Sequence, residues 1–536
     1  MKKSVYLFMV GAMATAFTLT SCDSFLEEKP EDMKTQNQNW QKPADALTGV
    51  NATYNAGAPA LHNMDISGGW TPKATMWDGI ISGLFVDRKK DRNFTSAAEG
   101  CTFTLEAFTD QAQSIWDQLY SGIAKANDVI ANVPKMTNVL SQSEIDNYVA
   151  QAKFFRALNY FTLVKEFGDV PYIDQPYTST NDMYKERLAT AEIYKNIEAE
   201  LLGIINGNAL PNTTFYKNKG RVTKSMAQTL LAQVYLQWAG APVNGGNEYY
   251  TKAANMAKQV ISGPHQLEQP NGSSDDLKSA FNTIKTSKSS DEIIYAKEYD
   301  YTNSSIGSSY HNRSVTTEVT QWKNSTGGSV FKTTVVDNMY LPCDMIINSY
   351  APEDIRGHEK QFFFSEYTDA SGVRHTMSTV GNWAWFDETA MVNGTGSDLN
   401  IPIMRYSEVL LIAAEGLART NDEPNARKYL NEVRKRAGLA DETASGNDLI
   451  QAILTERLHE FPLEFKVWDD IRRTRLYPQE STIGKLNWVA LASAKIQNKP
   501  AGQVKEGALP EYVLLWPIPQ DELGRNGALT PNAGWK

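Results

Sequence analysis

Catalysis needs a constellation of groups, and this 536-residue chain offers few. His459-Glu460 begins like a helical zinc motif, yet Leu463 stands where the second histidine would complete it. With six histidines and three cysteines in all, little is left to ligate a metal. Neither a phosphate loop, nor a Gly-x-Ser-x-Gly elbow, nor a dinucleotide fingerprint occurs. Asp387 to Asp398 is rich in oxygens that suit calcium, but Gly394 and Gly396 miss the EF-hand glycine position, so it reads as a solvated loop. The 62 acidic residues make a hydrolytic carboxylate pair easy to nominate and impossible to place from sequence. No catalytic residue, cofactor or metal is therefore assigned.

Aromatic side chains outside the helical patterns are more informative. Trp70 and Trp77 stand beside Asp65, Asp78 and Asp87, while Tyr301, Tyr310, Trp322, Trp383 and Trp385 stand near Asn312, Arg313 and Asn382. Neutral sugars present apolar C–H faces and a ring of hydroxyls. A site for them needs aromatic platforms on a concave surface, framed by hydrogen-bonding side chains. Trp70, Trp77, Asp78, Tyr301, Tyr310, Trp322, Trp383 and Trp385 are the candidate contacts, with a core or loop-anchor role as the competing reading for each.

The elements that must position them are mostly helices. Phe154, Ala157, Leu158, Phe161 and Val164 form one apolar stripe, closed by Gly168 where a C-cap glycine would sit. Tyr406, Val409, Leu410, Ala413, Ala414 and Leu417 form another, followed by Ala426, Tyr429, Leu430 and Val433 across the polar turn 420–424, which predicts an antiparallel hairpin. The same grammar recurs in 114–131 with 145–167, in 191–205 with 223–238, and in 249–261. The expected fold is mainly α: a tetratricopeptide-like helix-pair scaffold, irregular in its repeat length, carrying a loop-rich subdomain with short strands. Strand-like pieces in that subdomain are 333–336 and 361–364. The expected divisions are 42–262, helical with a binding-loop insertion at 55–106, then the irregular 263–400, and the C-terminal 401–536. Irregular segments on a rigid scaffold are where binding residues concentrate.

The N-terminus adds a covalent anchor. Lys2 and Lys3 precede an apolar run from Val5 to Leu19, too short to span a bilayer, and Leu19-Thr20-Ser21-Cys22 resembles a bacterial lipobox. Residues 1–21 are thus expected to be a lipoprotein signal peptide, with Cys22 acylated and residues 22–41 a flexible acidic tether. The net charge of −10 disfavours nucleic acid as a partner. Cys101 and Cys343 are equally readable as a disulfide or as two separate buried thiols.

Five stretches together resemble the SusD/RagB lipoproteins, the glycan-capturing surface proteins of Bacteroidetes. These are Asp23-Ser24-Phe25-Leu26-Glu27-Glu28 after the anchor cysteine; Phe154-Phe155-Arg156-Ala157-Leu158-Asn159-Tyr160-Phe161 with the exit Gly168-Asp169-Val170-Pro171; Gly220-Arg221-Val222-Thr223-Lys224; Arg405-Tyr406-Ser407-Glu408 leading to Leu430-Asn431-Glu432-Val433-Arg434; and Trp516-Pro517-Ile518-Pro519 with the closing Pro531-Asn532-Ala533-Gly534-Trp535. One departure is Pro462, which should end the helix after His459.

The resemblance implies an outer-membrane lipoprotein facing the cell exterior. It would bind oligosaccharide or polysaccharide and deliver it to a SusC-like TonB-dependent porin, without bond cleavage. Peptide capture, as in RagB-like members, and a lipid-anchored glycoside hydrolase are the alternatives. Most signature residues, Arg156, Arg405, Glu408, Glu415 and Arg434 among them, are expected to be helix-packing and buried-pair residues rather than ligand contacts.

Overall fold

The computed structural model describes residues 39–63, 79–86, 105–177, 179, 183–269, 279–313, 315–334, 336, 338, 340–482, 485–495 and 509–535. Cys22, the expected signal peptide and most of the expected tether lie outside these residues. Among them no helix is long and apolar enough to cross a membrane.

The helical scaffold comprises α1 (Pro43–Tyr54), α2 (Leu105–Asn132), α3 (Gln142–Phe167), α4 (Thr190–Asn206), α5 (Lys224–Ala239), α6 (Asn247–Ile261), α7 (Tyr406–Arg419), α8 (Glu423–Arg436), α9 (Gly446–Glu460) and α10 (Val467–Thr474). Successive helices pack on each other from α2 to α6, and α7 docks on α6, so the C-terminal pair continues the stack begun by the N-terminal ones.

α3 starts where Ser141 and Glu144 cap each other reciprocally and stops at Gly168, whose φ of 71° suits glycine. Its residues Phe154, Phe155, Ala157, Tyr160 and Leu163 are all buried, so it is wrapped by neighbours rather than amphipathic. α9 ends at Glu460, with Phe461 as its C-cap and Pro462 unable to continue it.

One close approach fixes the start of the first insertion. Gly57 has φ 69°, and a Cβ there would lie 2.1 Å from Asn159 Oδ1, which accepts the Ala58 N–H at 2.7 Å. Gly57→Ala therefore strains the backbone by about 1–2 kcal/mol and displaces that hydrogen bond; a lowered denaturant midpoint checks it.

Among the described residues the strands are short and come in four antiparallel pairs: β1 (Phe85–Val86) with β3 (Leu341–Pro342), β2 (Ile293–Lys297) with β6 (Ile401–Arg405), β4 (Phe363–Thr368) with β5 (Arg374–Asn382), and β7 (Leu476–Thr482) with β8 (Lys485–Ala490). The expected strand at 361–364 is β4, beginning two residues later. The one expected at 333–336 is irregular in its described residues, where Lys332 and Thr333 bond to the Met391 carbonyl instead.

A buried ion network joins the two kinds of structure. Arg405 Nη1 reaches Glu292 at 2.7 Å and Glu460 at 2.8 Å, and its Nη2 reaches Glu464 at 2.7 Å. Arg356, in the loop-rich region, reaches Asp354 and Glu456, each at 2.7 Å, and Arg436 bridges Glu292 and Glu460. A second belt ties α3 to α10 through Lys165–Asp469 at 2.5 Å and Arg472–Glu166 at 2.8 Å. Arg156 pairs with Glu200 and Glu415 with Arg473, both at 2.5 Å. These signature residues therefore hold the scaffold together.

Candidate functional site

The two irregular stretches meet. Leaving the scaffold after Gly57, the first one runs to His62, whose carbonyl accepts the Tyr299 hydroxyl at 2.7 Å and the Tyr310 hydroxyl at 3.4 Å. It returns at Gly79, where a Cβ would sit 2.0 Å from the Tyr340 hydroxyl, and then pairs Phe85 with Pro342 and Val86 with Leu341. The Tyr477 hydroxyl fixes the Ser82 carbonyl at 2.8 Å. The chain on either side of 64–78, at His62 and at Gly79 to Val86, is thus held by the 299–342 region; Trp70, Trp77 and Asp78 lie outside the described residues.

The aromatics expected as exposed platforms in the long stretch are mostly interior, which corrects that reading. Tyr310 is fully buried, and Trp322, Trp383 and Trp385 are 8%, 6% and 3% exposed. Trp385 contacts the rings of Tyr310, Tyr340 and Phe465 at 4.9, 5.3 and 5.6 Å, and Tyr340 stacks on Phe85 at 4.2 Å. Through Phe85 and Gly79 this cluster clamps the described chain that flanks 64–78.

Trp322 and Trp383 instead build a separate small core inside 315–391. Trp322 stacks on His375 at 4.8 Å, Trp383 packs on Phe386 at 5.5 Å, and the Trp383 indole N–H donates to Asn282 at 2.8 Å. A region without long helices still has to bury apolar surface, and its largest side chains do that first. Tyr301 remains partly exposed, at the start of a short turn whose backbone N–H donates to Asp398 at 2.5 Å.

Beside this clamp lies an open concavity of about 380 Å³, lined by Thr316, Thr317, Glu318, Gln321, Asn338, Leu341, Ser378 and Thr379. Its location follows from β3, because Leu341 is paired with Val86 where the first stretch leaves the scaffold again. The rim is preorganised: Asn338 Oδ1 accepts the Thr317 N–H at 2.9 Å, and Glu318 accepts the Ser378 N–H and hydroxyl at 2.7 and 2.6 Å. The buried Thr316 hydroxyl has no hydrogen-bond partner among the described residues. Hydroxyls and amides with one already-occupied carboxylate suit a neutral, hydroxylated ligand. Sequence reading missed these residues because scattered Thr, Ser, Gln and Asn carry no spacing; their density in 303–400 was the available signal.

Residues considered for chemistry have structural work. His459 is buried against Tyr350, its Nε2 2.9 Å from the Ser349 hydroxyl, and Glu460 lies in the ion network. Asp387 accepts the Ala390 N–H and the Ser397 hydroxyl, and Asp398 holds the backbone at Tyr301 and Thr302. Among the described residues no group of three His, Cys, Asp or Glu side chains is arranged to hold a metal. Cys343 carries a free, buried thiol whose pKa burial pushes up to about 11; Cys101 lies outside the described residues.

Comparison with known proteins places this arrangement. Residues 24–236 match a family described as starch-binding and associating with the outer membrane. A SusD-like protein of Formosa agariphila is 26% identical over 99% of both chains. A SusD superfamily protein of Parabacteroides distasonis superposes with a TM-score of 0.75 at 25% identity, covering 92% of this chain and 99% of that one. The surface glycan-binding protein A of Bacteroides thetaiotaomicron, solved with laminarihexaose, superposes at 0.69 with 20% identity over 92% of this chain and 100% of that one. Residues 214–535, more than half the chain, match the SusD family itself, and this protein belongs to that family.

Proposed function

We propose that the protein captures neutral oligosaccharide outside the cell and hands it to a SusC-like TonB-dependent porin, without cleaving it. Supporting this are membership of the SusD family and the laminarihexaose bound by one structural relative. The observation that carries it is that the described chain on either side of residues 64–78 and the hydroxyl-lined concavity meet one aromatic cluster. On this reading Trp70 and Trp77 supply the stacking platforms, and Asp78, Tyr301, Thr317, Gln321 and Asn338 bond sugar hydroxyls. Tyr310, Trp322, Trp383 and Trp385 act beneath the surface, keeping the loops in place.

Cys22 is the lipid attachment point on this reading, and residues 22–41 the strap that keeps the body over its porin at the outer-membrane surface. Permanent anchoring follows from several acyl chains, each buried CH₂ contributing about 0.8 kcal/mol.

Affinity electrophoresis against a polysaccharide panel and a peptide pool tests the reading. At least one glycan is expected to retard the protein, and Trp70→Ala with Trp77→Ala to weaken that binding by about tenfold or more. Retardation by peptides alone favours a RagB-like role, and released reducing ends favour a hydrolase. Unchanged glycan affinity in the double variant refutes the loop assignment.

A further inference from the structure

A second concavity, of about 640 Å³, lies between the C-terminal end of α8 and the chain that follows α6. Its size falls in the range of ligand pockets. The floor is rigid: Glu292 accepts the Glu268 N–H at 2.7 Å and Arg436 Nη1 at 3.0 Å, and the Arg436 guanidinium lies 4.6 Å over the Phe281 ring.

Its walls, in contrast, carry polar groups that no protein atom satisfies. Arg436 is 2% exposed, yet its Nε has no hydrogen-bond partner among the described residues. Tyr406 is 7% exposed, and neither its hydroxyl nor the Glu432 carboxylate nor the Gln266 amide takes part in a hydrogen bond among the described residues. Burial raises the Glu432 pKa, the mark of a carboxylate that has lost water without gaining a donor.

The chemistry of the lining narrows the ligand. Arg436 has its charge met by Glu292 and Glu460, and Lys435 faces two carboxylates, Glu268 and Glu432, so an anionic ligand is disfavoured. What remains is donors (Lys435, Gln266) and acceptors (Glu432, Gln266) around a tyrosine hydroxyl that does both. Groups that both donate and accept at short intervals are hydroxyls and amides, and the glycan-binding reading selects the hydroxyls. We propose that this concavity binds a neutral polyhydroxylated ligand, a pyranose unit of a glycan chain, as a second contact distinct from the 64–78 loop site. The proposal rests on the glycan-binding reading for its choice of a hydroxylated ligand over an amide and for its choice of probe.

Crystals soaked in excess maltohexaose, laminarihexaose or cellohexaose test it. A pyranose ring is expected in the concavity, bonded to Tyr406 and Glu432, in the wild type and equally in the Trp70→Ala/Trp77→Ala variant. Calorimetric titration should resolve two classes of site, and Tyr406→Phe with Glu432→Ala should weaken one class by roughly tenfold to hundredfold, with an unchanged circular dichroism spectrum showing that the fold persists. Sugar at the loop site with only water in this concavity overturns the second site alone. Sugar here and none at the loops overturns the loop assignment, and no sugar at either overturns both.

Discussion

Arg405→Ala destabilises the protein by about 3–5 kcal/mol, read as a drop in denaturant midpoint. Arg405 is 1% exposed and divides its guanidinium among Glu292, Glu460 and Glu464, while Nη2 also donates to the Glu460 carbonyl at 2.9 Å. Removing it leaves three carboxylates in the interior with Arg436 alone bridging two of them. Arg405→Lys recovers little, because an ammonium is a point charge and cannot span the fork. A destabilisation under 1 kcal/mol would refute the view that this network holds the loop-rich region on the helices.

Acid weakens the fold well before the carboxylates protonate. His459 is 7% exposed and His311 is 1% exposed; burial lowers their pKa values from 6.5 to about 3 and about 4. Each is held neutral in the folded state, whereas the unfolded chain takes up the proton near pH 6.5. Their contribution is therefore complete above pH 6.5 and is lost as pH falls through 6.5 toward 4, by about 2 kcal/mol for each at pH 5. Below about pH 4.5 a second loss begins. Glu460 and Asp469, each held at about 2 by neighbouring cations against the opposing effect of burial, lose a contribution that is present only above the ordinary carboxylate range. Midpoints measured from pH 8 to 5 check the first window, and His459→Gln should flatten the slope by about one proton. A flat profile between pH 7 and 5 would mean that neither ring is buried as described.

The helical half was legible because its information is local. The stripe from Phe154 to Val164, the cap at Gly168 and the stop at Pro462 each lie within a few residues of the structure they dictate, and each falls within a residue or two of the observed boundary. The aromatic-rich half was legible in content but not in direction. Whether Trp322 faces water or protein depends on Tyr367 and His375, 45 and 53 positions away, and no periodicity in a loop announces such partners. β1 and β3 are two residues each and 256 positions apart in the Phe85–Leu341 span, below any strand signal. The concavity beside them is made of side chains that every loop contains, so it exists only once that pairing has formed.

The ion network has a consequence for how the chain is made. Glu292 waits for Arg405 and Arg436, and Arg356 waits for Glu456 and Glu460. The end of α3 waits still longer: the Glu166 carbonyl accepts the Trp516 N–H at 2.7 Å, and Asn532 donates to the Phe167 carbonyl at 2.9 Å. A nascent chain emerging N-terminus first holds these charges unanswered until residues 405–460 arrive, and the two carbonyls until residues 516–532 do. Long-range closure of this kind delays the final locking of the fold until the C-terminal segment is made.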